Sequence, residues 1–178
     1  MRRAGWNAIT FNYRGSWGSP GAFRFAQVPE DARAVLAFLR DPARARALGV
    51  DPERIAIAGH SMGGWASALV GGGDPRLLGT ALISAANMGL VGKTPRGELV
   101  KNAAENAETL ADTSPERMAD ELIASSADFD FRRAAQGLAK RPLLVLTSND
   151  TLASHTDPLV AAVKAAGGRQ TAAAHVVT

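Results

Sequence analysis

Short apolar runs punctuated by glycine, proline and aspartate alternate along this chain with longer stretches of helical periodicity. Ile55–Ala58 is an apolar run bounded by the turn chemistry of Asp51-Pro52, and it predicts a buried strand. Gly64–Val70, rich in small and apolar residues, predicts a helix packed closely on a sheet. Before them, Trp6–Tyr13 reads as a strand, after the last turn of a helix at Met1–Gly5. Arg14–Gly21 reads as a Gly/Ser/Pro loop and Pro29–Arg40 as a helix with Ala32, Val35, Leu36 and Leu39 on one face. A short helix covers Pro42–Leu48. After Gly71–Pro75, read as a breaker, Leu77–Ser84 is a strand. Then the rhythm fails: Gly89–Gly137 reads as helices without strands, at Pro95–Ala111, Pro115–Ser125 and Asp130–Leu138. Alternation resumes with a strand at Pro142–Thr147, a helix at Thr156–Ala166 and a strand at Thr171–Val177. Repeated strand–helix alternation predicts an α/β domain over 1–178: a doubly wound, mostly parallel sheet with helices on both faces and a helical insertion at 89–137.

Between the central strand and its helix stands Gly59-His60-Ser61-Met62-Gly63, a G-x-S-x-G pattern in the strand–turn–helix context that gives it meaning. A hydroxyl is a poor nucleophile until it is held at an exposed point beside a base, and a tight strand-to-helix turn supplies such a point for Ser61. Gly59 and Gly63 leave room for the close approach, and the Met62 N–H, at the start of the helix, is placed to bind a developing oxyanion. The bland alternative is a glycine-rich turn with an incidental serine.

Gly59-His-Ser-Met-Gly-Gly64 resembles the nucleophile elbow of the α/β-hydrolase superfamily. Phe11-Asn-Tyr-Arg-Gly-Ser-Trp-Gly-Ser-Pro-Gly21 resembles that family's strand and RGxGxS loop, and Leu144–Asp150 resembles the strand that ends in its catalytic acid. The three segments come in the family's order. The resemblance implies a serine hydrolase of small-molecule or peptide acyl substrates, with Ser61 as nucleophile, Met62 as oxyanion donor and Asp150 orienting an imidazole. The family usually carries its lid where 89–137 stands; a solvated helical excursion is the bland alternative there. Asn149-Asp150 reads equally as a plain turn.

The base is harder to place. Of the three histidines, His60 lies inside the elbow and His155 reads as a loop residue near a helix start. His175 follows in chain order but reads as a strand residue, where the family carries its histidine in the loop after the last strand. Both ends stop where the family continues, so the chain reads as truncated at both ends. An esterase is the first reading; a peptidase, thioesterase or acyltransferase of the same fold, and a non-catalytic fragment, stay open beside it.

Composition narrows the rest. Twenty basic and seventeen acidic residues give a formal charge of +3, scattered without a basic, aromatic-laced stripe, so nucleic acid is not expected. The chain has no cysteine, no signal-like apolar run after Met1-Arg-Arg and no stretch of bilayer-spanning length. No membrane partner, no metal and no organic cofactor are expected, the cytoplasm is the default location, and oligomeric state is open. Trp17 and Phe23 read equally as pocket lining or core cover, and Arg14 as pinning its loop through carbonyl groups.

Overall fold

The computed structural model describes residue 3 and residues 5–176. The helix end expected at Met1–Gly5 and the strand end at Val177 fall partly or wholly outside these. The elements run α1 Gln27–Arg40, α2 Pro42–Leu48, β1 Ile57–Ser61, α3 Met62–Gly73, β2 Thr80–Ala85, α4 Met88–Val91, α5 Arg96–Ala104, α6 Pro115–Ala124, α7 Ala135–Leu138, β3 Leu143–Thr147, α8 Ala153–Ala165 and β4 Thr171–His175. Four strands form one parallel sheet in the order β1-β2-β3-β4, registered Ile57 to Thr80, Thr80 to Leu143 and Leu143 to Thr171.

Strand order never reverses. Right-handed crossovers between successive parallel neighbours put every connecting helix on the same side. Alternation along the strands records this: Thr80, Leu82, Ser84, Leu143, Val145 and Thr147 are buried, whereas Ala58, His60, Ile83 and Leu144 on the opposite face are exposed. Among the described residues, therefore, the helical layer covers one face, where helices on both were expected.

The covered face is built around α3. Trp65, Ala66, Ala68 and Val70 are at most 1% exposed. The Trp65 indole donates to the Phe129 carbonyl at 2.6 Å and stacks edge-on against the Phe129 ring, 4.9 Å away. That bond ties the helical excursion to the sheet. Gly71-Gly-Gly, read as a breaker, is instead the last turn of α3. A Cβ at Gly71 would meet Thr80 Oγ1 at 2.1 Å, and one at Gly72 would meet the Ala134 side chain at 2.7 Å. Close packing, which local propensity does not report, keeps these glycines helical. A second cluster packs Ala32, Leu36 and Leu39 of α1 onto Ile55, Val70 and Leu77.

Two other expectations fail for the same non-local reason. Trp6–Tyr13 forms no strand, and Trp6, Ile9 and Phe11 are exposed. The elbow strand begins two residues later than its apolar run, because Ile55 bonds instead to Leu78 N–H and the ladder with β2 starts at Ile57. Between β2 and β3 the described residues form helices, turns and loops, with one isolated antiparallel bridge from Leu110 to Ser16.

Candidate functional site

Ser61 is the last residue of β1 and the N-cap of α3, with φ 51 and ψ −120. A non-glycine residue at such angles is strained by about 1–3 kcal/mol and persists only where its surroundings hold it. The ladder between β1 and β2 shifts register between His60 and Ser61, and the Ser61 carbonyl accepts from Ala86 N–H at 3.1 Å. Met62 takes the first helical position, where its N–H has no partner within the helix.

The elbow glycines are not equivalent. A Cβ at Gly59 would lie 2.1 Å from the Gly63 carbonyl oxygen, whereas at Gly63 the nearest atom is the Tyr13 hydroxyl at 3.5 Å. Gly64 is the second tight position, 2.5 Å from the Ala85 Cβ. The room that both G-x-S-x-G glycines were expected to provide is needed at Gly59 and Gly64.

Ser61 and Met62 open into a cavity of about 500 Å³. Phe11, Tyr13, Trp17, Phe23 and Phe25 form one wall; Met88, Val91, Leu99, Leu110, Met118 and Leu122 form the other. Asn12, Asn102, Asn106, Ser16 and Thr109 are its polar groups, and none of the described residues lining it is charged. Phe23, 2% exposed, is both core and lining; Trp17, 72% exposed, stands at the mouth.

The two walls are stitched together. Trp17 N–H donates to Thr109 O at 2.9 Å, Phe23 N–H to Ala111 O at 3.0 Å and Ala111 N–H to Gly15 O at 2.8 Å. The Glu121 carboxylate accepts from Phe25 and Ala26 N–H just before α1. Arg14 holds the loop from its other side through the Asp31 and Glu30 carboxylates, where backbone carbonyls were expected as its partners.

Asp150 lies just past β3, at the sheet edge that also carries Ser61. With strands spaced about 4.8 Å apart, β1 and β3 are separated by about 10 Å, a span that an imidazole can bridge. The Asp150 carboxyl is held below the usual carboxylate range, first by the Ser84 hydroxyl, against a smaller opposing effect of burial, then by Leu152 N–H and the Ser148 hydroxyl. Ser84, buried at φ 42 on the intervening strand, was not singled out in the sequence.

No histidine among the described residues lines the cavity into which Ser61 opens. His60 is exposed on the uncovered face. His175, at the end of β4, pairs with Thr147 three strands along the sheet from Ser61. Its Nδ1 faces the Thr147 hydroxyl at 3.1 Å and its Nε2 the Asn149 Oδ1 at 3.0 Å. The amide oxygen only accepts, so Nε2 carries the proton. His155, expected in a loop, sits in the first turn of α8, where its Nδ1 accepts from Asn87 N–H at 3.1 Å, and burial lowers its pKa.

Asn87 was also missed, though an asparagine inside Ala85-Ala-Asn-Met88 is a readable anomaly. Fully buried, it donates to Asp130 at 2.9 Å and accepts from Gly89 and Phe131 N–H. Burial pushes the Asp130 carboxyl up, but Arg132, the Asn87 amide and the Arg132 N–H together bring it from 3.8 down to about 2. A depressed carboxylate stabilises the fold above its unfolded pKa, and that contribution is lost as pH falls through the folded one. Acid titration followed by tryptophan fluorescence should show this junction loosening between pH 3.8 and about 2. Asp130→Asn should remove that component of the transition; an unchanged profile would show that the junction does not depend on the charge.

The sequence profile of the α/β-hydrolase fold family matches residues 2–176. The chain belongs to that family. Among solved structures, this α/β-hydrolase chain is similar to a thermostable carboxylesterase cloned from a metagenomic library (28% identity, TM-score 0.59, covering 93% of this chain and 57% of that one). It also resembles a fungal esterase from Rhizomucor miehei (23%, TM-score 0.59, covering 86% and 50%). A puromycin-hydrolyzing peptidase of Mycobacterium tuberculosis matches at 17% identity and TM-score 0.56, covering 90% and 22%. No curated protein matches. The chain spans about half the length of the first solved esterases it resembles. No described helix is long and apolar enough to cross a membrane, and no three metal-ligating side chains gather among the described residues.

Proposed function

We propose that this chain carries the nucleophile and acyl pocket of a serine hydrolase acting on small, uncharged carboxylic esters. The observation that carries this reading is the strained Ser61, at φ 51, opening into an uncharged cavity beside the Met62 N–H. Ser61 Oγ attacks the acyl carbon, the carbonyl oxygen takes the electron pair and is met by Met62 N–H, and an imidazole oriented by Asp150 takes the serine proton. The family relationship and the esterases among the solved neighbours support the reading.

The cavity favours an ester over a charged substrate. An unpaired carboxylate or ammonium would lose its hydration there and find no counter-charge. The excursion 89–137 serves as a lid that stays fixed to the 15–26 loop, because the backbone bonds at Gly15, Trp17 and Phe23 join them.

One set of contacts favours a second reading. His155 and His175 both have Nδ1 engaged by other residues and neither lines the Ser61 cavity, which suits a non-catalytic role for residues 1–178 on their own. Labelling with a fluorophosphonate, beside assays of p-nitrophenyl acetate and butyrate, separates the two. We expect labelling at Ser61, none in Ser61→Ala, and serine-dependent acylation by the butyrate at least roughly tenfold faster than by an anionic succinyl ester of the same leaving group. Absence of serine-dependent labelling would sink the hydrolase reading; equal rates for neutral and anionic esters would sink the substrate class alone.

A further inference from the structure

We infer that Trp17 selects esters that carry an aryl group, its indole stacking on the ring that projects from the mouth of the Ser61 cavity. This role rests on the Ser61 reading and adds a substrate class to it.

Trp17 is the most exposed large apolar residue among those described, at 72%, yet it lines the cavity that holds Ser61 and Met62. Trp65 is the contrast: it is fully buried, and its indole N–H is bonded to the Phe129 carbonyl. Packing accounts for Trp65 and leaves Trp17 without a core role. The local backbone does not call for an indole either. Trp17 sits at φ 51, in the left-handed region that bulky side chains rarely occupy and that glycine or asparagine would suit better.

Such a conformation persists only where its surroundings over-determine it. Here they do. Trp17 N–H donates to Thr109 O at 2.9 Å, and the preceding Ser16 bridges antiparallel to Leu110. Ser16 N–H donates to Tyr13 O at 3.0 Å, and Ser19 N–H to Ser16 O at 2.9 Å, so turns close on both sides of Trp17. Gly15 packs so tightly that a Cβ there would lie 2.3 Å from Phe23 N. The indole is thereby fixed at the seam between the 15–26 loop and the helical excursion. A platform already held in place loses little conformational freedom when a ligand settles on it.

The cavity decides which kind of group the indole meets. A ligand ring laid on Trp17 removes apolar surface from water, and an aromatic pair gains further from offset or edge-to-face geometry. A cation would also be drawn to an indole face, but none of the described lining residues is a carboxylate, and the ion would lose hydration against the apolar walls. A neutral aryl group meets neither obstacle. Phe11, Tyr13, Phe23 and Phe25 line the same cavity, so the ring joins an aromatic surface.

The test uses the whole chain, with phenyl butyrate and cyclohexyl butyrate competing against labelling of Ser61 by an alkyl fluorophosphonate. The saturated ring has at least as much apolar surface as the flat one, so burial alone gives the phenyl ester no advantage. Stacking does: phenyl butyrate should halve the labelling rate at a concentration about 2- to 10-fold lower than cyclohexyl butyrate. In Trp17→Leu, which keeps an apolar side chain, the two concentrations should converge. A second readout needs no substitution at 17. The chain has three tryptophans, so in the Trp6→Phe, Ser61→Ala double variant only Trp17 and the buried Trp65 emit. Phenyl butyrate should then shift the emission to shorter wavelength as it covers the exposed indole. Equal concentrations for the two esters in the parent chain, a phenyl preference that survives Trp17→Leu, or an emission unmoved by phenyl butyrate would overturn the Trp17 role and leave Ser61 in place. A parent chain that never labels would overturn the Ser61 reading and the Trp17 role with it.

Discussion

Replacing Ser61 by glycine should yield a protein that no longer reacts with fluorophosphonates yet melts at a higher temperature than the parent. At φ 51 and ψ −120 a side chain is held against its backbone preference, at a cost of about 1–3 kcal/mol. Glycine has no such penalty but loses roughly 0.5–1 kcal/mol more in unfolded-chain entropy. The net gain is about 1 kcal/mol, which for a chain of this length raises Tm by about 2–4 °C. Ser61→Ala is the control: it removes the hydroxyl, keeps the Cβ, and should be unreactive without the thermal gain. Calorimetry on the three proteins decides the matter. A glycine variant melting at or below the parent would mean that the turn stores no strain, and the argument that the fold holds this residue for chemistry would lose its energetic basis.

That strain explains why the centre of the chain was readable. An apolar strand, two glycines, a serine and a small-residue helix all lie within about twenty residues, and the geometry they require is local. Trp6–Tyr13 shows the opposite case. Its β-branched and aromatic residues favour an extended backbone, yet no strand forms there. A strand also needs a hydrogen-bonding neighbour, and here a cavity of about 530 Å³ lined by Trp6, Ile9 and Phe11 separates the segment from Ile55–Ala58. Pairing is a property of two segments, and one run of residues does not report it. The tight approach of Gly71 and Gly72 to Thr80 and Ala134 was hidden for the same reason, as were the roles of Ser84 and Asn87, which depend on where β2 stops against β1. The position of Asp150 at the edge that carries Ser61 follows from its place just after a parallel strand, and its role belongs to the proposal. The contacts of His155 and His175 with Asn87, Thr147 and Asn149 join separate segments, and no single run of residues reports them.

The glycines flanking Ser61 supply the other large effect, because they look alike in sequence and differ in space. Gly59→Ala should cost on the order of 3 kcal/mol, with a fall in Tm of about 6–12 °C. Its Cβ would lie 2.1 Å from the Gly63 oxygen, 2.3 Å from the Gly63 carbonyl carbon and 2.6 Å from Ser67 Oγ. Two of those atoms are backbone in the first turn of α3, so relief requires the helix to retreat from β1. That retreat moves Met62 and opens the turn at Ser61, so fluorophosphonate labelling should fall together with stability. Gly63→Ala has a different prospect. Its Cβ meets only the Tyr13 hydroxyl, at an ordinary 3.5 Å, and alanine inside a helix is favoured over glycine by up to about 1 kcal/mol. This variant should match or exceed the parent in stability and still label at Ser61. Thermal melts and labelling of the two alanine variants side by side test the asymmetry. Equal damage from both would mean that the second glycine is held by something other than the space around it, and that the close contact between β1 and α3 at Gly59 is not what shapes the elbow.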